Sequence, residues 1–365
     1  MSFSRNRVRA RSALAALGAA AAIGGTALTA PAQAATTTQY NLTIIRSPST
    51  AQITSLNGVN ANGDAFGTAI ESGALTEEGF LLKAGSTTMQ FLGSPGDPTN
   101  AKSFANPLGI NKFDDVAGSS QSITNSMTSP ILWPNSSTPT NLGTLPGIAG
   151  TLVNPQATAI NDSNLITGDG GSNGHGQEAF TIQGSQVTIL PTLPGGSDDT
   201  TAAINNAGVI VGDADSATVS PVAVAWQNGT VRQLGKLPGG LTSEALAINA
   251  SGEIVGASLA ADGDAHAVLF ANGTVTDLNV PGTGQGDAQA SAVNDSGVIV
   301  GSGGNGHAFI DQNGQATDLN NFISPASGVT LTAANGINDN GVIVGTAVSN
   351  ANPRQSFGFE LTPVG

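Results

Sequence analysis

Cysteine is missing from all 365 residues, so no disulfide can staple the chain and no lipid-modified thiol can tether it. Its stability has to come from burial and hydrogen bonding, which a chain of this length can supply. Positive charge is nearly as scarce. Eleven Lys and Arg stand against 25 Asp and Glu, and four of the eleven (Arg5, Arg7, Arg9, Arg11) fall in the first 34 residues. The remainder carries a formal charge of −18. A surface that negative repels phosphate backbones and anionic lipid heads, which argues against nucleic acid and membrane surfaces as partners. Aromatic residues make up only 4%, with one Tyr and two Trp, too few for a sugar-stacking platform. Beyond the N-terminus no apolar run could span a bilayer, so no membrane insertion is expected.

What the chain has in abundance is glycine, 49 residues, together with few charges, the composition of an ordered, turn-rich globular protein. The first 34 residues differ from the rest. A basic head precedes a short run of Ala, Leu and Gly that ends in Ala32-Gln33-Ala34, the pattern of a secretory signal peptide. The Ala/Gly stretch is short and weakly apolar for a membrane anchor, and the arginines are not adjacent, as a twin-arginine route would need. The expected organisation is a signal at 1–34, a linker at 35–39 and one domain at 40–365, in an exported bacterial protein acting as a monomer.

That domain repeats one phrase, written NDSGVIVG at 294–301 and NDNGVIVG at 338–345. Aligned on its first residue, the phrase gives Asn60, Asn111, Asn161, Asn205, Asn249, Asn294 and Asn338, at intervals of 51, 50, 44, 44, 45 and 44. Seven residues after each Asn stands a glycine: Gly67, Gly118, Gly168, Gly212, Gly256, Gly301 and Gly345. Asn-x-x-Gly is turn chemistry, because the Asn side chain bonds nearby backbone and the fourth position wants positive φ. Two copies put Asp114 and Asn164 at that fourth position, the residues that next best tolerate it. The phrase therefore predicts a hairpin and carries no catalytic signature. The spaced glycine predicts a bulge or a close backbone approach near a crowded centre.

Two more strands follow each hairpin. An aromatic-rich one, such as 223–226 or 308–310, is joined to the next by Asn228-Gly229, Asn272-Gly273 or Asn313-Gly314. Four short antiparallel strands in a period of forty-odd residues predict a β-propeller blade. The last copy lacks its fourth strand, and an orphan strand at 40–45 precedes the first Asn. Joining the two gives an all-β, seven-bladed closed propeller, with an open stack of sheets or a propeller with one irregular blade as alternatives.

The stretches AVAWQNGTVRQLGKLPGGLTSEALAINASGEIVG and HAFIDQNGQATDL resemble the HAF extracellular repeat, named for its His-Ala-Phe element. His307-Ala308-Phe309 matches that element fully and His266-Ala267-Val268 in part, while Val222 and Glu178 replace the histidine elsewhere. The resemblance covers nearly all of the domain and implies an exported repeat protein. It implies no particular activity.

Antiparallel blades sort their loops by face. The first-to-second and third-to-fourth turns are short and repetitive, which reads as a structural face. The second-to-third loops and the crossovers between blades vary, as in 213–221 and 258–267, and are where binding is expected. Fourteen of the 25 acids fall there by sequence position. Asp213, Asp215, Asp262, Asp264, His175, His266 and His307 are the candidate ligand-binding residues of that face. Asp213-x-Asp215 and Asp262-x-Asp264 have the spacing that opens a calcium loop. Ala217 and His266 stand where the next oxygen ligand belongs, so any calcium site needs ligands from other blades. Residues 301–306 spell G-x-G-x-x-G but precede a strand, where the dinucleotide motif requires a helix. Residues 170–174 spell G-x-S-x-G but precede the strand at 179–182, where a nucleophile elbow requires a helix. Trp133 and Trp226 sit at the repeated aromatic position and are expected between blades. The favoured reading is a secreted, non-catalytic binding or surface-interaction protein. An extracellular hydrolase or lyase using the acidic face, or a structural envelope component, are the alternatives.

Overall fold

The seven glycines that follow the seven asparagines all meet the same obstacle. A Cβ added to any of them would lie 2.0 to 2.1 Å from a carbonyl oxygen of the strand before it, such as Thr200 O for Gly212 or Glu244 O for Gly256. The computed structural model, which describes residues 39–46, 53–70, 77–93, 104–121, 127–135, 138–172, 176–218 and 221–364, shows why. In each blade the ladder between the first two strands slips by one residue just past that glycine. Thr201 opposes Gly212, and the next pair is Ala203 with Val211. The same slip recurs in every blade, at Leu56/Gly58, Pro107/Gly109, Ala157/Ala159, Ala245/Ala247, Ala290/Ala292 and Ala334/Gly336. A bulge bends the first strand toward its partner and leaves room for hydrogen alone. On the other side of the glycine, Phe80, Phe180, Phe309 and Phe359 pair across from Gly67, Gly168, Gly301 and Gly345 and lie over them.

Seven four-stranded antiparallel sheets result, together forming a seven-bladed propeller. Blades 1 to 6 span 53–91, 104–141, 152–189, 199–235, 243–277 and 289–318, with strands in chain order. Blade 4, for example, runs Asp199–Ile204, Ile210–Ala214, Val222–Gln227 and Thr230–Gly235. Blade 7 takes three strands from 329–363 and its outermost from Tyr40–Ile45, which pairs antiparallel with Ser356–Pro363 from Tyr40↔Pro363 to Ile45↔Gly358. The ring is closed by the two ends of the domain, and neither an open stack nor an irregular blade is found. First strands touch first strands all the way round, so they line the axis.

The turns are as the phrase predicts. Gly63, Gly208, Gly252, Gly297 and Gly341 have positive φ, and so do Asp114 (65°) and Asn164 (57°) at the same position. Asn228-Gly229, Asn272-Gly273 and Asn313-Gly314 have positive φ at both residues, the conformation of a tight hairpin turn.

Each phrase asparagine does two jobs. Its Oδ1 caps its own turn: Asn205 Oδ1 accepts from the N–H of Ala207 (3.1 Å) and Val209 (3.0 Å). Its Nδ2 then donates to the backbone carbonyl of the next blade's asparagine. The chain of bonds runs Asn60, Asn111, Asn161, Asn205, Asn249, Asn294, Asn338 and back to Asn60, at 2.9 to 3.4 Å. All seven are buried, and a buried amide needs such partners.

The apolar core is divided in the same way, with one cluster at each junction between blades. Ala179 of blade 3 and Leu193 of the following crossover pack with Ile210, Val224 and Trp226 of blade 4, and Ile45 and Val344 of blade 7 pack with Leu56 and Phe80 of blade 1. Trp133 and Trp226 lie between blades, and their Nε1 groups donate backward to Gly93 O (2.6 Å) and Pro191 O (2.8 Å).

Two substitutions test this account. Gly256→Val should cost about 3 kcal/mol or more in urea unfolding, since the obstacle is backbone and cannot swing away; a variant that unfolds with the parent would refute the close-approach explanation. Asn205→Ala removes one cap and one link of the ring, and should cost about 2 kcal/mol, with Asn205→Asp also destabilising because it keeps the cap and loses the donor.

Candidate functional site

Strand direction puts the Asn turns at one end of the ring and the crossovers and second-to-third loops at the other. On this second, variable face the acids do not spread evenly. They gather where blade 4 meets blade 3. Asp215 Oδ1 accepts from the N–H of Ser197 (2.6 Å) and Asp198 (2.9 Å), Asp198 Oδ1 accepts from Gln177 N (2.8 Å), and Asp213 Oδ1 accepts from Thr200 Oγ1 (2.6 Å). Carboxylates therefore sew the crossover between the two blades to loops on both sides. Asp213 stands inside the strand Ile210–Ala214, though sequence position suggested a loop.

Beneath them is Asp199, the first residue of blade 4, only 1% exposed, whose Oδ1 is buried and has no hydrogen-bond partner. Burial first, and then the charges of Asp215, Asp198, Asp213 and Glu178, push its carboxyl up to about 7. Asp169, buried on the second strand of blade 3, completes the group, accepting from Gln156 Nε2 (3.0 Å) and Thr201 N (3.2 Å).

His266 and His307 form separate sites. They begin the third strands of blades 5 and 6, and each Nδ1 lies 2.6 Å from the Asp that ends the same blade's fourth strand, Asp277 or Asp318. Both therefore bond outward along their own blade, away from the axis. Asp277 Oδ1 accepts from Asn279 N, and Asp318 Oδ1 from Asn320 N, so the carboxylates are held in place. The two copies then diverge. His266 Nε2 meets Asp262 Oδ2 at 3.0 Å, which leaves a buried ring between two carboxylates. His307 is more open, with a side chain 39% exposed. Asp264 contributes its backbone N–H to Asp262 Oδ1 (3.2 Å). His175 lies outside the described residues. Among the described residues no three His, Asp or Glu side chains are arranged to hold a metal ion.

Burial lowers the His266 pKa, but the two carboxylates outweigh it and hold the imidazole above its ordinary value. A histidine raised in this way stabilises the fold fully below its unfolded pKa, and the contribution is lost as pH rises through the folded one. Asp277→Asn should accordingly lower the melting temperature more at about pH 6 than at about pH 9. An equal fall at both pH values would show that the ring is not held as imidazolium.

The repetitive face holds something the sequence reading did not anticipate. A cavity of about 260 Å³ opens there on the axis, lined in every blade by the phrase Asn and its two flanking residues. Lys112, Asp162, Asn206, Asp295 and Asp339 follow the asparagines at its mouth. Four of the backbone N–H groups there donate to the next blade's side chain: Lys112 N to Asp162, Asp162 N to Asn206, Ala250 N to Asp295 and Asp295 N to Asp339. The signal was present, as a polar residue directly after Asn in five of seven phrases.

No family model matches the sequence, and no curated protein matches it. Several solved structures share its fold. The β-propeller domain of the trilobed protease from Pyrococcus furiosus, described as having an open velcro topology, is 9% identical over 84% of this chain and 95% of that one, with a TM-score of 0.51. A structure from a study of two prolyl endopeptidases is 11% identical, with a TM-score of 0.51; the match covers 90% of this chain and only 51% of that protein. A Trypanosoma rangeli sialidase is 8% identical over 86% of this chain and 53% of its own, at a TM-score of 0.42. At such identities the likeness extends to the fold alone.

Proposed function

We propose that this chain is an exported, non-catalytic binding propeller that presents its variable-loop face to an extracellular partner. One observation carries the reading, the division of labour between the two faces. The repetitive turns are spent on one another through the asparagine ring. The opposite loops differ from blade to blade and display carboxylates and imidazoles on a framework fixed by backbone bonds. Rigid scaffolds use such loops for recognition. The acids gather at a blade junction and His266 and His307 lie elsewhere, which suits binding better than catalysis in one axial pocket. The signal-like N-terminus and the HAF resemblance support export, and no helix among the described residues is long and apolar enough to cross a membrane.

A hydrolase or lyase reading has one observation behind it. Asp318 orients the ring of the part-exposed His307 through Nδ1, as a carboxylate orients a histidine base. Neighbours of similar fold include peptidases and a sialidase, which adds nothing specific at such low identity.

The two faces can be compared directly by retention of the mature chain on cell surfaces and extracellular polymers. Asp198→Asn with Asp215→Asn, and separately Asp262→Asn with Asp264→Asn, keep an acceptor oxygen but discard charge on the variable face. Asp295→Asn with Asp339→Asn does the same on the other. Retention should fall in at least one variable-face variant and persist in the turn-face control. Loss only in the control, or release of cleaved polymer that stops in His307→Ala, would reverse the reading.

A further inference from the structure

Taking the variable face as the binding face, we propose that the junction of blades 3 and 4 binds an organic cation, an ammonium or guanidinium group carried by a polyamine or by a basic side chain of a partner protein. Four acids there, Glu178, Asp198, Asp213 and Asp215, are partly exposed and surround Asp199 closely enough for each to act on its ionisation. Asp198 and Asp215 spend Oδ1 on loop N–H groups, and no protein group takes their second oxygen among the described residues. Asp199 Oδ1 is buried with no partner at all. No Lys, Arg or His of the described residues forms an ion pair with Glu178, Asp198, Asp199 or Asp215. A buried carboxylate oxygen without a partner, set among other acids, is costly.

The spacing selects the kind of cation. No three of these acids converge as ligands to a single metal ion. Carboxylates contributed by two blades and by the crossover between them suit a group with several N–H donors, as in a guanidinium fork or the nitrogens of a polyamine. Among the described residues, the charged groups that act on Asp199 are all acidic: Glu178 from blade 3, Asp198 from the crossover, Asp213 and Asp215 from blade 4. A bound cation would favour the ionised form of Asp199, so binding would expel a proton near neutrality and strengthen as pH rises through about 7.

Thermal shift and calorimetry on the mature chain test this, with spermidine and a blocked arginine peptide as probes and calcium alongside. At about pH 8 one or both organic probes should raise the melting temperature by several degrees, and at about pH 5 neither should. Calorimetry in buffers of different ionisation enthalpy should show proton release at about pH 7. Asp199→Asn should abolish the shift. Its own unliganded melting point at about pH 8 should exceed the parent's, because a destabilising buried charge is gone, and this shows that the variant is folded. Spermidine alone acting identifies a free polyamine as the ligand; the peptide acting identifies a basic side chain. Equal shifts in parent and Asp199→Asn, no shift with either organic probe, or a shift with calcium alone would overturn the proposal. If the probes fail while the Asp262/Asp264 variant still loses surface retention, the junction is not the site and the binding-face reading stands. If retention survives in every variable-face variant, the broader reading falls instead.

Discussion

A side-chain amide donating to the next blade's carbonyl is the interaction on which the ring depends. A single such bond contributes about 1 kcal/mol. Seven of them form a closed circuit around the axis, where each asparagine also terminates its own turn. The bond thus couples the conformation of a five-residue loop to the spacing of whole blades. The bulge and the glycine beside it serve the same geometry, since they bring the second strand against the first within 2.1 Å of where a side chain would begin. Inner strands can then pack shoulder to shoulder, as Gly109 does against Ala159 and Gly336 against Gly58.

With the axis fixed at one end, the opposite end is free to vary. Apolar clusters occupy every junction between blades, so loops above them can change in length and charge without exposing the core. Tyr40–Ile45 covers the edge of Ser356–Pro363, completes blade 7 and pins the two ends of the domain together. The outcome is a rigid disc whose two faces follow different rules: repetition on one, individuality on the other.

The electrostatics of the individual face are set by a shortage of counter-charge. A chain with so few Lys and Arg has little with which to compensate its acids internally. Backbone N–H groups take that role for Asp198 and Asp215, and an imidazole takes it for Asp262 and Asp277. Asp199 has neither, and burial first, then the acids around it, raise its carboxyl to about 7.

The turns, the blade count and the closing strand were legible in the sequence because their causes are local. An Asn caps residues two and four positions on, a glycine answers to the strand beside it, and a missing fourth strand can be counted against an orphan one. The His-Asp pairs were half legible: both histidines stand eleven residues before an Asp in a repeated TDLN, though only paired strands bring them to 2.6 Å. Nothing in the sequence indicated that the same asparagines also bond blade to blade, or that Asp169, Glu178, Asp199 and Asp215 would meet. Those contacts join residues 17 to 44 or more positions apart, and their geometry exists only once neighbouring blades have packed together. Local hydrogen bonding determined what each blade is; packing around a common axis decided which blades' side chains share a site.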